Sequence, residues 1–130
     1  MIEFHLESRS GVPTYLQLVQ QVRQAIRLGI LRPGDQLPTV KEVVTTLTIN
    51  PNTVLHAYRE LDHEGLVEGR RGVGTFVASD LAPVPPDDVK ELRSSLQRWL
   101  VRARAAGLDD DSIAALFADT QRPPRATRVA

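Results

Sequence analysis

The chain is 130 residues long and formally neutral, with 16 Lys/Arg against 16 Asp/Glu. That length suits one domain, or a small domain with an appendage. Its 42% apolar and 25% charged content is that of an ordinary globular protein, and the absence of cysteine excludes a disulfide frame and thiolate chemistry.

A cysteine-free chain fits a reducing cytoplasm, the expected location. The opening MIEFHLE is interrupted by Glu3 and Glu7 and does not read as a secretory signal. The longest apolar run, Ile113 to Ala118, is far too short to cross a bilayer, so no membrane partner is expected. Neutrality is unusual for a nucleic-acid binder. Division at Ala78 leaves eight cations and eight anions on each side. A DNA-binding surface here would have to come from the placement of a few cations.

Ile2 to Leu6 alternate apolar and polar, the pattern of a short strand. From Pro13 to Leu28, Tyr15, Leu18, Val19, Val22, Ala25 and Ile26 recur at helical spacing, and Gly29 suits the C-cap. Pro33-Gly34-Asp35 signals a turn that Leu37 anchors to a core. Thr39 and Glu42 have capping-box spacing at the start of a second helix, whose apolar side is Val40, Val43, Val44 and Leu47. After Thr48-Ile49, Asn50 is a good N-cap and Pro51 a good first helical residue. The third helix is expected over Pro51 to Glu64. Val54, Ala57, Tyr58 and Leu61 face its core side, and Asn52, Thr53, Leu55, His56 and Arg59 lie wholly or partly on the other. Leu66-Val67 and Phe76-Val77 flank Arg70, Arg71, Gly72 and Gly74, which reads as a β-hairpin with a basic, glycine-rich tip.

Ala82 to Pro86 holds three prolines and marks a linker or bend. Val89, Leu92, Leu96, Trp99, Ala103 and Ala106 then follow a three-four spacing, an a/d seam for helix pairing. Gly107 stops it. Asp109 to Asp111 precede a short last helix with Ile113, Leu116 and Phe117 on one side. The remainder from Thr120 has no periodicity and is expected to be disordered. The expected fold is mainly α with a small β-hairpin: a winged helix-turn-helix over 1–78, a linker over 79–87, a helical dimerisation region over 88–119 and a tail over 120–130.

This order of elements explains the chemistry. A helix fits the major groove, and its N-terminal residues reach base edges. Those residues are Asn52 and Thr53, with His56 one turn on. Lys41, at the start of the second helix, and Arg59 are placed to take phosphates. Gly72 and Gly74 let the hairpin tip approach DNA closely, while Arg70 and Arg71 charge it. The alternative is a winged helix used only for protein–protein contact, which an apolar outer face on the third helix would favour. The residues there are polar. An enzyme finds no nucleophile–base pair or cofactor loop. No cofactor is expected and no metal: His5, His56 and His63 are scattered, and the Asp109 to Asp111 run reads as a helix N-terminus. The seam pairs either with a second copy or with the chain's own last helix. Trp99 and Leu100 beside Leu96 give more apolar surface than one short helix covers, which favours a homodimer through Val89, Leu92, Leu96, Trp99, Leu100, Ala103, Leu116 and Phe117. Two helices hardly enclose an ordinary ligand pocket of about 300–1,000 Å³, so a small-molecule effector is left unidentified.

Pro13 to Ala78 also closely resembles the GntR family of bacterial regulators. The stretches LRPGDQLPTVKEV and INPNTVLHAYRELDHEGLVEGRRGVGTFV carry the likeness. The short remainder resembles the YtrA subfamily. The resemblance implies a homodimer on an inverted-repeat operator, usually as a repressor and often of a neighbouring transporter operon. It also implies DNA contacts at Lys41, Asn52, Thr53, His56, Arg70, Arg71, Gly72 and Gly74, with Asn50 opening the reading segment. Lys41 stands where the family usually has Arg, losing the bidentate fork. His56 stands where Arg or Lys is common, and Thr48 where the turn usually has Gly.

Overall fold

The computed structural model describes residues 2–81 and 86–123. The elements are α1 (Thr14–Arg27), α2 (Val40–Leu47), α3 (Pro51–His63), β1 (Val67–Arg70), β2 (Gly74–Val77), α4 (Pro86–Ala105) and α5 (Asp110–Gln121). Packing divides the chain into two units after Val89, within α4. Most of the proline-rich bend, 82–85, lies outside the described residues, as does the expected tail from 124. α5 itself runs to Gln121.

In the first unit α1 buries Leu18, Val19, Val22 and Ala25, while Tyr15 and Ile26 are half-buried at the ends of the stripe. Gly29, at φ +72°, turns the chain out of the helix, and the Leu31 N–H returns to the Ala25 carbonyl at 3.0 Å. The Ile2–Leu6 segment forms no strand, contrary to its alternation. Ile2 and Phe4 do point inward, but the hydrogen-bonding partner is a helix. The Gln21 amide accepts from the His5 N–H at 2.9 Å and donates to the His5 carbonyl at 2.6 Å. Gln17 does the same for Glu7, at 2.8 and 3.0 Å. Residues two apart in an extended chain lie about 6.6 Å apart, and residues four apart on a helix about 6 Å. Two glutamines one turn apart therefore meet alternate peptide groups. This is why Gln17 is buried on an otherwise apolar side.

Thr39 caps α2, its hydroxyl accepting from the Glu42 N–H at 3.1 Å. The reciprocal half of the capping box differs from expectation. The Glu42 carboxylate takes the Thr39 hydroxyl, not the backbone N–H. Asn50 caps α3 by accepting from the Asn52 N–H at 2.8 Å, with Pro51 at the first helical position. Val54, Ala57, Tyr58 and Leu61 all turn inward, as their spacing requires. The Tyr58 hydroxyl donates to the Pro38 carbonyl at 2.5 Å and ties α3 to the chain entering α2. Burial, with a smaller contribution from Glu42, pushes the Tyr58 phenol well above its ordinary pKa, so it stays a donor. Leu37, 1% exposed, anchors the preceding turn.

β1 and β2 pair antiparallel, Val67 opposite Val77 and Arg70 opposite Gly74. A third chain segment joins them. Leu37 N–H donates to Thr75, Val77 N–H to Asp35, and Gly34 N–H to Val77, at 2.8–2.9 Å. The outer edge of β2 is thus covered, and the hairpin is fixed to the turn before α2.

The second unit is a helix pair. Ala103 and Ile113 are its buried residues, and Trp99 meets Phe117 at a ring separation of 5.1 Å. Asp109 caps α5 by accepting from the Ser112 N–H at 2.8 Å, and hydrogen bonds from the Ser112 side chain and backbone draw its carboxyl below the ordinary pKa.

Thr48, the C-cap of α2, has φ 55° and ψ 52°. It is the one non-glycine residue at positive φ among those described. A β-branched side chain there costs about 1–2 kcal/mol, partly offset because glycine would loosen the unfolded chain. Thr48→Gly is therefore expected to stabilise the protein by about 1 kcal/mol, read as a rise in urea midpoint at unchanged slope.

Candidate nucleic-acid interface

With its apolar side buried, α3 presents Asn52, His56 and Arg59 as exposed and Thr53 as half-buried. Asn52 and His56 stand one turn apart on one side of the helix. Asn50, expected among the contacts, spends its Oδ1 on the N-cap, so its share in binding is narrowed to its Nδ2. The hollow in front of this turn is lined by Thr14, Tyr15, Asn50, Asn52, Thr53 and His56. Thr14 and Tyr15 come from α1 and were not foreseen. Tyr15 carries the apolar periodicity of α1, and nothing local to it reveals that its ring stacks on His56 with centroids 3.8 Å apart.

The wing has a built geometry. Val73 N–H closes a turn on the Arg70 carbonyl at 3.0 Å. Gly72, the third residue of that turn, has φ +74°, the sign a type II turn demands there. Gly74 has φ +144°, and a Cβ on it would sit 2.6 Å from Gln36 Nε2. Gln36 also donates to the Val73 carbonyl at 3.4 Å. It underlies the tip, a role that only the pairing of distant segments reveals. The Arg70 guanidinium lies 4.3 Å from the centre of the Phe76 ring, a diagonal cross-strand contact that holds it against the sheet. Arg71 and Gly72 stand exposed at the tip.

The ion pairs among the described residues are Arg23–Glu64, Arg104–Asp110 and Arg122–Asp119. Arg23 grips Glu64 with two hydrogen bonds of 2.8 and 2.7 Å, clamping α1 to the end of α3. Lys41, Arg59, Arg70 and Arg71 appear in none of these pairs, and all four are exposed. Among the described residues no group of three His, Cys, Asp or Glu gathers to hold a metal, and no helix is long and apolar enough to cross a membrane.

The expected dimerisation residues divide. Ala103 is buried within its own chain, Trp99 and Phe117 touch each other, and Val89 and Leu100 are half-buried. Leu92, Leu96 and Leu116 are 69%, 42% and 41% exposed.

Three helices followed by a two-stranded wing, with a polar outer side on the third helix, define a winged helix-turn-helix. Residues 14–77 match the bacterial regulatory proteins of the gntR family. The chain is 35% identical to the HTH-type transcriptional repressor YtrA of Bacillus subtilis over 105 residues, covering 80% of this chain and 81% of that protein. Among solved structures it resembles YtrA from Sulfolobus acidocaldarius, a GntR-family transcription factor, with TM-score 0.55, 29% identity and coverage of 78% of this chain and 97% of that one. It also resembles the DNA-binding domain of AraR in complex with operator ORX1, with TM-score 0.52, 26% identity and coverage of 59% of this chain and 96% of that one. The chain belongs to the GntR family and is a transcriptional regulator with a DNA-binding domain, not an enzyme.

Gly74→Ala is expected to cost about 1–2 kcal/mol through its backbone angle, the Gln36 amide being flexible enough to yield. Urea denaturation measures the loss, and weakened cross-strand contacts between Arg70 and residue 74 in NMR spectra locate it.

Proposed function

We infer that this regulator binds an inverted-repeat operator as a homodimer and represses transcription. Residues 1–78 read DNA, 79–87 link, and 88–119 pair with a second copy. α3 lies in the major groove. Asn52, Thr53 and His56 meet base edges, and Lys41, Arg59 and the Asn50 side chain meet the backbone. The wing, through Arg70, Arg71, Gly72 and Gly74, grips the flanking strand or minor groove. The observation that carries this reading is the outward polar set Asn52, Thr53 and His56 on α3, accompanied on α2, α3 and the wing by the exposed cations Lys41, Arg59, Arg70 and Arg71, which enter none of the ion pairs among the described residues. The operator complexes of AraR support DNA as the ligand, and the named activity of the Bacillus subtilis relative supports repression. With the regulatory role goes the target that the resemblance implies, a neighbouring transporter operon, and with DNA as ligand goes action in the cytoplasm.

Exposed Leu92, Leu96 and Leu116 support pairing of copies. Burying such side chains releases about 1.5–3 kcal/mol each. Two copies also double the phosphate contacts available to a neutral chain.

Footprinting on the DNA upstream of this protein's own gene tests the whole reading. Two protected half-sites related by a dyad are expected, and uniform weak protection would overturn it. Arg70→Ala/Arg71→Ala is expected to weaken binding to all duplexes and to flatten the salt dependence by about 1–2 units of slope per subunit. An unchanged slope removes the wing from the interface. Leu96→Asp is expected to sediment as a monomer, and a dimer that survives the change removes the seam.

A further inference from the structure

The Tyr15–His56 contact joins the first turn of α1 to the outer side of α3. The two rings are nearly parallel, 14° apart, with centroids 3.8 Å apart. Tyr15 is half-buried against the core and His56 is exposed. The two rings therefore differ in freedom. One is anchored by packing, and the other would otherwise sample several rotamers in water.

An imidazole carries both of its hydrogen-bonding nitrogens in the ring plane. A partner stacked on one face leaves both edges clear while it restricts rotation. A side chain that must be immobilised on binding weakens the complex, and one already held does not. Stacked rings of this kind attract by a margin beyond simple burial. The hollow beside them is shared: Tyr15 and Thr14 line it together with Asn52, Thr53 and His56. A DNA group entering in front of Asn52 would therefore meet a wall contributed by α1.

We propose that Tyr15 is a positioning residue for sequence reading: its ring fixes the His56 imidazole in one orientation before DNA arrives, so that α1 sets the selectivity of a contact made by α3. This rests on the DNA-reading role inferred above and adds the residue that sharpens it. The ring is the part required, and the phenol hydroxyl is not. Selectivity between duplexes should respond, and the sequence-independent attraction to phosphate should not.

The test uses the full chain and a duplex selected by the wild-type protein from a random library. Affinity is measured by fluorescence anisotropy for that duplex and for a scrambled one. Tyr15→Phe is expected to stay within about twofold of wild type. Tyr15→Leu, which keeps apolar packing and removes the ring, is expected to lose about fivefold on the selected duplex and nothing on the scrambled one. Base preference should flatten at the same position as in His56→Ala. The double variant Tyr15→Leu/His56→Ala should bind no more weakly than His56→Ala alone. The His56 ring-proton NMR signals should lose their ring-current shift in Tyr15→Leu and keep it in Tyr15→Phe. Should Tyr15→Leu not fold, Tyr15→Met takes its place with the same expectations. Additive losses in the double variant, or an unaltered selected-to-scrambled ratio in Tyr15→Leu, would overturn the proposal while leaving DNA reading intact. A wild-type chain that selects no duplex overturns both.

Discussion

The rotational setting of α3 is the constraint on which the rest depends. Val54, Ala57 and Leu61 are wholly buried and Tyr58 nearly so. A helix whose one stripe is in a close-packed core cannot turn about its axis without pulling those groups into water. The Tyr58 hydroxyl on the Pro38 carbonyl and the Arg23–Glu64 clamp fix it further, one near the entry to α2 and one at its far end. The polar residues between the buried ones are then presented outward as a consequence. The surface proposed to read DNA is thus held by contacts on the opposite side of the helix.

The wing is held by the same logic carried into β-structure. Two four-residue strands alone would be marginal. Val67 and Val77 sink into the core, and the Gly34–Leu37 segment adds its backbone to the outer edge of β2. The turn between α1 and α2 therefore sets where the wing lies. Gln36 sits under Gly74, and Arg70 lies on Phe76, so the tip is supported from below and along one side. The residues from Arg70 to Val73 remain exposed at the tip.

Neutral composition is compatible with this surface because charge acts locally. At physiological salt the screening length is about 8 Å. Carboxylates farther away than that do little to a cation that has no partner of its own. Two carboxylates of the first unit are engaged within it: Glu42 accepts from the Thr39 hydroxyl and Glu64 pairs with Arg23. Their negative charge serves caps and clamps.

The caps, the helices and the hairpin of the first unit were legible in the chain itself because each depends on neighbours within a turn. Asn50-Pro51, Thr39 with Glu42, and the 3.6-residue recurrence of Val54, Ala57, Tyr58 and Leu61 specify local geometry directly. Thr48 was not legible in this way: the family resemblance marked its place as one where glycine is usual, and only the backbone shows that it adopts the left-handed conformation. What the tertiary structure alone decided are contacts between residues distant in sequence. It turned the alternating Ile2–Leu6 segment into a chain bound by Gln17 and Gln21, and it put Tyr15 on His56. It also divided the α4 seam into a part already occupied within the chain and a part left exposed. Periodicity states which side of an element is apolar and is silent on what meets it. A half-buried ring such as Tyr15 satisfies the same pattern whether it ends in the core or against another helix's outer side.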